Sequence, residues 1–108
     1  MFYEFRTYTC APGKLAAALK RFETVTVGLF DKHRIQRITP VFTVVVGEDN
    51  TQLKYVLQWQ SHEERDRAWT AFRADPEWQK ALAETDKDGP LVQKISNELL
   101  AAAPFSLR

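Results

Sequence analysis

Hydrophobic periodicity changes several times along this chain, and the order of the changes restricts the fold more than any other feature of the sequence. From Phe2 to Thr9 the period is two: Phe2, Glu4, Arg6 and Tyr8 alternate with Tyr3, Phe5, Thr7 and Thr9, a mixture of aromatic and β-branched residues suited to a pleated strand. One row is expected to face the core, leaving the acid, guanidinium and phenol of the other row on the opposite side of the sheet. Ala11-Pro12-Gly13 ends the strand. From Lys14 the period becomes helical, with Leu15, Ala18, Leu19, Phe22, Val25, Leu29 and Phe30 on one stripe. Between Thr24 and Gly28 this helix has β-branched residues and a glycine, which lower helix propensity and leave room for a bend, although burial of the stripe opposes it.

Between Arg37 and Gly47 the run Val41-Phe42-Thr43-Val44-Val45-Val46 is apolar almost throughout, as expected of a strand covered on both faces. Gly47-Glu48-Asp49-Asn50 is turn chemistry, and Leu53 to Gln60 returns as the other arm of a hairpin. The stretch from Trp59 to Trp78 then predicts two capped helices. Ser61 with Glu64 three residues on fits a capping box, and Arg65, Ala68, Trp69 and Phe72 share one helical face. Asp75-Pro76-Glu77 starts the next helix, since aspartate caps, proline loses nothing in a first turn and an acid suits the positive helix end. After the turn cluster Asp86 to Pro90, Leu91 to Leu100 reads as a last strand.

Strand, long helix, two strands, helix, strand is the order of an α+β, ferredoxin-like βαββαβ sandwich with a four-stranded antiparallel sheet, filling residues 1–108 as one domain. Helices cover one sheet face. The other is expected to be too apolar to stay wet, so a second copy is expected to cover it, giving a homodimeric α/β barrel. The net charge of +1, with acids and bases interleaved, provides no surface for tracking phosphates, so no nucleic-acid partner is expected. No leader pattern and no apolar run of membrane-spanning length occurs, so the expectation is a cytoplasmic protein without a membrane partner. The single cysteine, Cys10, excludes an internal disulfide and a cysteine metal cluster.

Order and spacing of short motifs give the chain a family likeness. The opening, with Glu4, Arg6, Thr7, Tyr8, Pro12 and Gly13, is followed by Lys20 to Thr24, Lys32-His33, Gly47-Glu48 and the block Trp69 to Trp78. Lys87 to Pro90, Lys94 to Ser96 and Pro104-Phe105-Ser106 complete the series. Together these resemble the NIPSNAP family across essentially the whole chain, with a departure at Thr39-Pro40-Val41. The resemblance implies a ferredoxin-like protomer and a homodimer of the dimeric α/β-barrel group. It implies no agreed reaction: relatives in that wider group include cofactor-free monooxygenases, haem-degrading enzymes, lactone isomerases and proteins that only bind.

Several residues are candidates for a site. Glu4, Arg6 and Tyr8 would present an acid, a cation and a hydroxyl to a small ligand, with Arg6 meeting a carboxylate; equally, Glu4 and Arg6 would form a satisfied ion pair. Tyr55 and Trp59 share a strand face and would line an aromatic pocket or belong to the core. His33 would serve as a general base if a substrate reached it, or as a cation at a helix end. Neither His33 nor His62 has a partner at metal-ligand spacing, so no metal is expected. No cofactor is expected either: nucleotide and hydrolase motifs are missing, and the helix after Trp59 offers Trp69 and Phe72 where haem would need an axial ligand. The leading reading is a small-molecule-binding homodimer. The alternative is a cofactor-free monooxygenase or isomerase acting on an aromatic or lactone-like molecule, with Arg6 or Tyr8 stabilising an enolate and His33 taking a proton. A third reading is an interaction module with a solid interior. Whether Arg6 and His33 open onto one cavity discriminates among them.

Overall fold

The computed structural model describes residues 1–106. Strand β1 (Phe2–Cys10) is central in an antiparallel sheet, between β4 (Gln52–Trp59) and β5 (Val92–Leu100). Its register sets Arg6 opposite Tyr55 on one side and Asn97 on the other, and a bulge at Thr9/Cys10 ends the regular pairing with β5. Three helical segments connect the strands: an interrupted first helix, then α3 (His62–Ala74) and α4 (Pro76–Thr85), all packed on one sheet face. The fold is therefore the expected α+β sandwich, with the sheet in five strands instead of four.

The additional strand arises because the valine-rich segment is not a single strand covered on both faces. It is divided into β2 (Gln36–Arg37) and β3 (Phe42–Thr43), each paired with β4. Pro40 lies in the gap, where it has no N–H to give a ladder, and the Thr39 hydroxyl accepts the Val56 N–H at 3.0 Å instead. Val45 and Val46 lie beyond β3 in a bend and are 92% and 94% exposed, so their β-branching and apolarity report neither a strand nor burial there.

The first helix is α1 (Leu15–Arg21), a π-helical turn at Phe22–Thr26, and α2 (Val27–Lys32). The turn overlaps the weak segment between Thr24 and Gly28. There the Thr24 hydroxyl donates to the Lys20 carbonyl at 2.8 Å, a back-bond that loosens helices. The wider turn carries both Phe22 and Thr26 into the interior. At α3 the Ser61 oxygen accepts the Glu64 N–H at 3.1 Å, while the Glu64 carboxylate accepts from Gln60, one residue further back than a capping box requires. Asp75 caps α4 by accepting the Glu77 N–H at 2.9 Å, with Pro76 in the first turn. Caps of this kind contribute about 1 kcal/mol each.

The core lies between sheet and helices. Leu53, Tyr55, Leu57 and Trp59 of β4 are wholly enclosed and meet Phe22, Leu29 and Phe30 from the first helix and Ala68, Trp69 and Phe72 from α3. The register puts Glu4, Arg6 and Tyr8 on this same face, the reverse of the expected assignment, and Tyr3, Phe5, Thr7 and Thr9 on the uncovered one. Both rows of β1 hold aromatic residues, so alternation by itself does not choose between them. What decides is that the charged row has partners on α3 and β5. The uncovered face is consequently mixed. Tyr3, Phe5 and Val56 share it with Lys54, Ser96 and Glu98, and the tryptophan expected there, Trp59, is on the helix side. No helix among the described residues is long and apolar enough to cross a membrane.

Candidate functional site

At one end of the interior a single carboxylate organises five side chains. Glu4 Oε1 accepts from Trp59 Nε1 at 2.9 Å, Arg65 Nε at 2.9 Å and Trp69 Nε1 at 3.1 Å. Oε2 accepts from Arg6 Nη1 at 2.9 Å, Arg65 Nη2 at 3.0 Å and Asn97 Nδ2 at 2.8 Å. Residues four apart on α3 point the same way, so Arg65 and Trp69 reach Glu4 together, while neighbouring strands supply the rest. Glu4 is 0% exposed, and burial by itself would raise its pKa. The hydrogen bonds from Arg65, Asn97, Trp69 and Trp59 outweigh burial and hold the carboxyl well below the usual range, so it stays ionised. With its acceptor sites filled by protein donors, Glu4 has no capacity for a ligand.

Arg6 continues from this cluster toward a cavity. Its Nη1 is held by Glu4, its Nε donates to the Tyr55 hydroxyl at 2.9 Å, and its Nη2 lies 3.5 Å from the Tyr8 hydroxyl. The guanidinium is 4.3 Å from the Trp69 ring centroid, which supports the cation from the other side. The Tyr8 and Tyr55 oxygens are 2.5 Å apart. Burial pushes the Tyr55 hydroxyl up, and the adjacent Tyr8 oxygen adds to this, so Tyr55 is neutral.

The cavity has a volume of about 340 Å³ and lies between the helices and the β1/β5 side of the sheet. Arg6 and Tyr8 line it from β1. Phe22, Trp69, Phe72 and Trp78 form aromatic walls, and Ala18 leaves room where a larger side chain would fill the space. Arg21, also in the lining, is occupied: it donates to Thr85 at 2.8 Å and to Asp86 at 3.1 Å. Exposed Arg73 and Ile95 stand at the rim.

The other candidates are elsewhere. Tyr55 and Trp59 do share one face of β4, but both are enclosed in the core and neither lines the cavity. His33 follows the end of α2, where its Nε2 is 2.8 Å from Asp75 Oδ2, and the same oxygen meets Lys32 Nζ at 2.8 Å. The Lys32 and His33 contacts, with the Glu77 N–H, hold the Asp75 carboxyl well below its usual range. His33 borders a separate shallow groove beside Arg67 and Ala71, so Arg6 and His33 do not open onto a common space. His62 stacks on Phe2 with ring centroids 4.3 Å apart. Cys10 is a buried free thiol whose pKa burial raises. Among the described residues no group of three or more His, Cys, Asp or Glu side chains could hold a metal.

Sequence reasoning placed Arg65, Trp69 and Phe72 on a buried helical face without naming them as site residues, and it passed over Asn97 and Arg73. Arg65 did carry a signal: a cation on an otherwise apolar helical stripe needs a buried partner. Asn97 carried none, because only the register of β5 brings it to Glu4.

A family model described as NIPSNAP matches residues 3–107. Among solved structures, a NIPSNAP family protein with unknown function from Agrobacterium tumefaciens is 26% identical, with a TM-score of 0.82 over 97% of this chain and 90% of that one. An uncharacterized NIPSNAP domain protein from Burkholderia xenovorans is 21% identical, with a TM-score of 0.80 over 97% of each chain. A putative antibiotic biosynthesis monooxygenase from Nitrosomonas europaea has the same fold at 8% identity, with a TM-score of 0.61 over 94% of this chain and 98% of that one. No curated protein sequence matches the chain.

Proposed function

The chain belongs to the NIPSNAP family, and from that premise we propose that it is a small-molecule-binding protein, acting as a homodimer, whose ligand occupies the cavity bounded by Arg6, Tyr8 and the aromatic side chains of the helices. The observation that carries this reading is the cavity. About 340 Å³ is within the ~300–1,000 Å³ usual for small-molecule sites, and its make-up is also usual for them: aromatic walls around a few convergent polar groups. Apolar walls suit a flat ring system, and Arg6 with Tyr8 suits a polar substituent on it. The alternative in which His33 takes a proton from a ligand held by Arg6 is set aside, because the two residues border different spaces.

A thermal-shift panel of flat aromatic acids, phenols, quinones and their neutral analogues tests the binding. At a hundredfold excess over Kd a ligand contributes about 2.7 kcal/mol, which is a rise of roughly 10 °C in Tm for a domain of this size. Ala18→Leu, which fills the cavity from the wall, is expected to abolish the rise. A shift that persists in this variant places the ligand elsewhere, and a flat response to the whole panel removes the binding reading.

The homodimer is supported by the uncovered sheet face and by the size of its apolar components. Phe42 is 48% exposed, Ile38 43% and Leu100 40%, and they lie with Tyr3, Phe5 and Val56 in a domain only 19 Å thick along its shortest axis. Exposed apolar side chains gathered on one sheet face, even interspersed with Lys54 and Glu98, favour an interface, and a twofold axis lets one surface cover its own copy. Sedimentation equilibrium at micromolar concentration is expected to give twice the chain mass, and Phe5→Glu to give the single-chain mass. A native protein that sediments as one chain removes the dimer.

A further inference from the structure

The hydroxyl pair at the end of the cavity has only one consistent arrangement of protons, and that arrangement specifies what the cavity can hold. Arginine nitrogens donate and never accept, whereas a phenolic oxygen has one proton to give and lone pairs to receive. Arg6 Nε therefore donates to the Tyr55 oxygen, at 2.9 Å. The Tyr55 proton must then find an acceptor, and Tyr55 is wholly enclosed. Among the described residues its hydroxyl meets only Arg6 and the Tyr8 oxygen at 2.5 Å. If Tyr8 donated instead, Tyr55 would keep a buried proton with no partner, an arrangement native interiors avoid. Tyr55 is thus the donor and Tyr8 the acceptor.

The consequence falls on Tyr8. Its oxygen receives from Tyr55 and faces Arg6 Nη2 at 3.5 Å, so its own proton has no acceptor among the described residues. Tyr8 lines the cavity and Tyr55 does not. A guanidinium, an enclosed hydroxyl and a cavity-lining hydroxyl form a chain donating in one direction, and each link polarises the next.

We infer that Tyr8 is a hydrogen-bond donor held for an acceptor-only oxygen, so that the cavity takes ring compounds bearing a phenolate, enolate or carboxylate in preference to their protonated forms. This rests on the binding reading above and adds the ionisation state of the ligand to it. A protonated phenol can accept the same hydrogen bond, as Tyr8 does from Tyr55, but more weakly, whereas the anion makes a charge-assisted bond to the proton offered and benefits from the cation behind it. Exposed Arg73 at the rim adds positive potential, and the test must separate its contribution from that of Tyr8.

The probe is 4-nitrophenol, whose anion is distinguished from the neutral form by visible absorption, with nitrobenzene as the control that has no ionisable group. Bound 4-nitrophenol is expected to ionise about one pH unit below free 4-nitrophenol, which is roughly a tenfold preference for the anion. Tyr8→Phe is expected to bind nitrobenzene as before and return the ionisation midpoint close to the free value, while Arg73→Ala keeps most of the shift. Binding without a downward shift in the unsubstituted protein overturns the inference and leaves the binding reading intact, and it does so even if Tyr8→Phe fails to fold. A shift that survives Tyr8→Phe, or disappears in Arg73→Ala, also overturns it. If neither probe binds, the inference falls, and the binding reading falls with it when the rest of the panel is flat as well.

Discussion

Glu4→Gln is expected to cost about 3–5 kcal/mol of unfolding free energy, the range for breaking a buried ionic cluster by removing one partner. The amide is nearly isosteric but has one accepting oxygen in place of two, and its NH₂ group would face donors. Arg6 and Arg65 would keep their charges without the anion that compensates them. In urea the midpoint should fall with little change in slope. A pH series gives the more specific signature. The folded-state pKa of Glu4 is lowered from an ordinary value of 4.5, so its contribution is fully present above that pH and is lost as pH falls through the depressed folded value. Stability of the native protein should therefore decline with acid below about pH 4.5, and that of Glu4→Gln less steeply, so that the two curves converge. A residual slope should remain in the variant, since Asp75 is depressed in the same direction. Parallel curves, or a cost under about 1 kcal/mol, would mean that the network is not what holds this end of the interior together.

Phe30→Ala is the second large effect, about 3–5 kcal/mol for removing a phenyl ring from a close-packed site. Phe30 is 3% exposed and is the ring on which others converge: Phe22, Trp69, Phe72 and Tyr55 have centroids 5.6, 5.8, 5.7 and 5.9 Å away. Three of those neighbours, Phe22, Trp69 and Phe72, also wall the cavity. Relaxation around the vacated volume should therefore disturb the ligand response in addition to lowering Tm. Calorimetric unfolding with and without the best ligand of the panel separates the two. A ligand-induced shift equal to that of the native protein would show that Phe30 supports the core without shaping the cavity.

The parts of the fold legible from sequence are those governed by local rules. Ser61, Asp75 and Pro76 mark their helix starts because capping depends on a few adjacent residues. The weak stretch near Thr24 marks the π-helical turn for the same reason. The valine run misleads because branching at Cβ favours extended backbone whether or not anything covers it, and Pro40 then divides the strand. The site was half legible. Arg6 and Tyr8 stand out as polar groups in an apolar strand, but so does Glu4, and no local rule separates a carboxylate that meets a ligand from one already saturated by protein donors.

Sequence alone determined the order of strands and helices apart from the division of the second strand, the caps, the family likeness and several of the residues around which any site would be built. These follow from side-chain shape and near-neighbour spacing, which the chain carries along its length. The tertiary structure decided which row of β1 faces inward, because that depends on partners contributed by α3 and β5 from some sixty to ninety positions away. It also decided that Arg6 and Tyr8 reach a cavity while His33 does not, since a cavity is the space left when separate elements fail to meet, and no segment encodes it by itself.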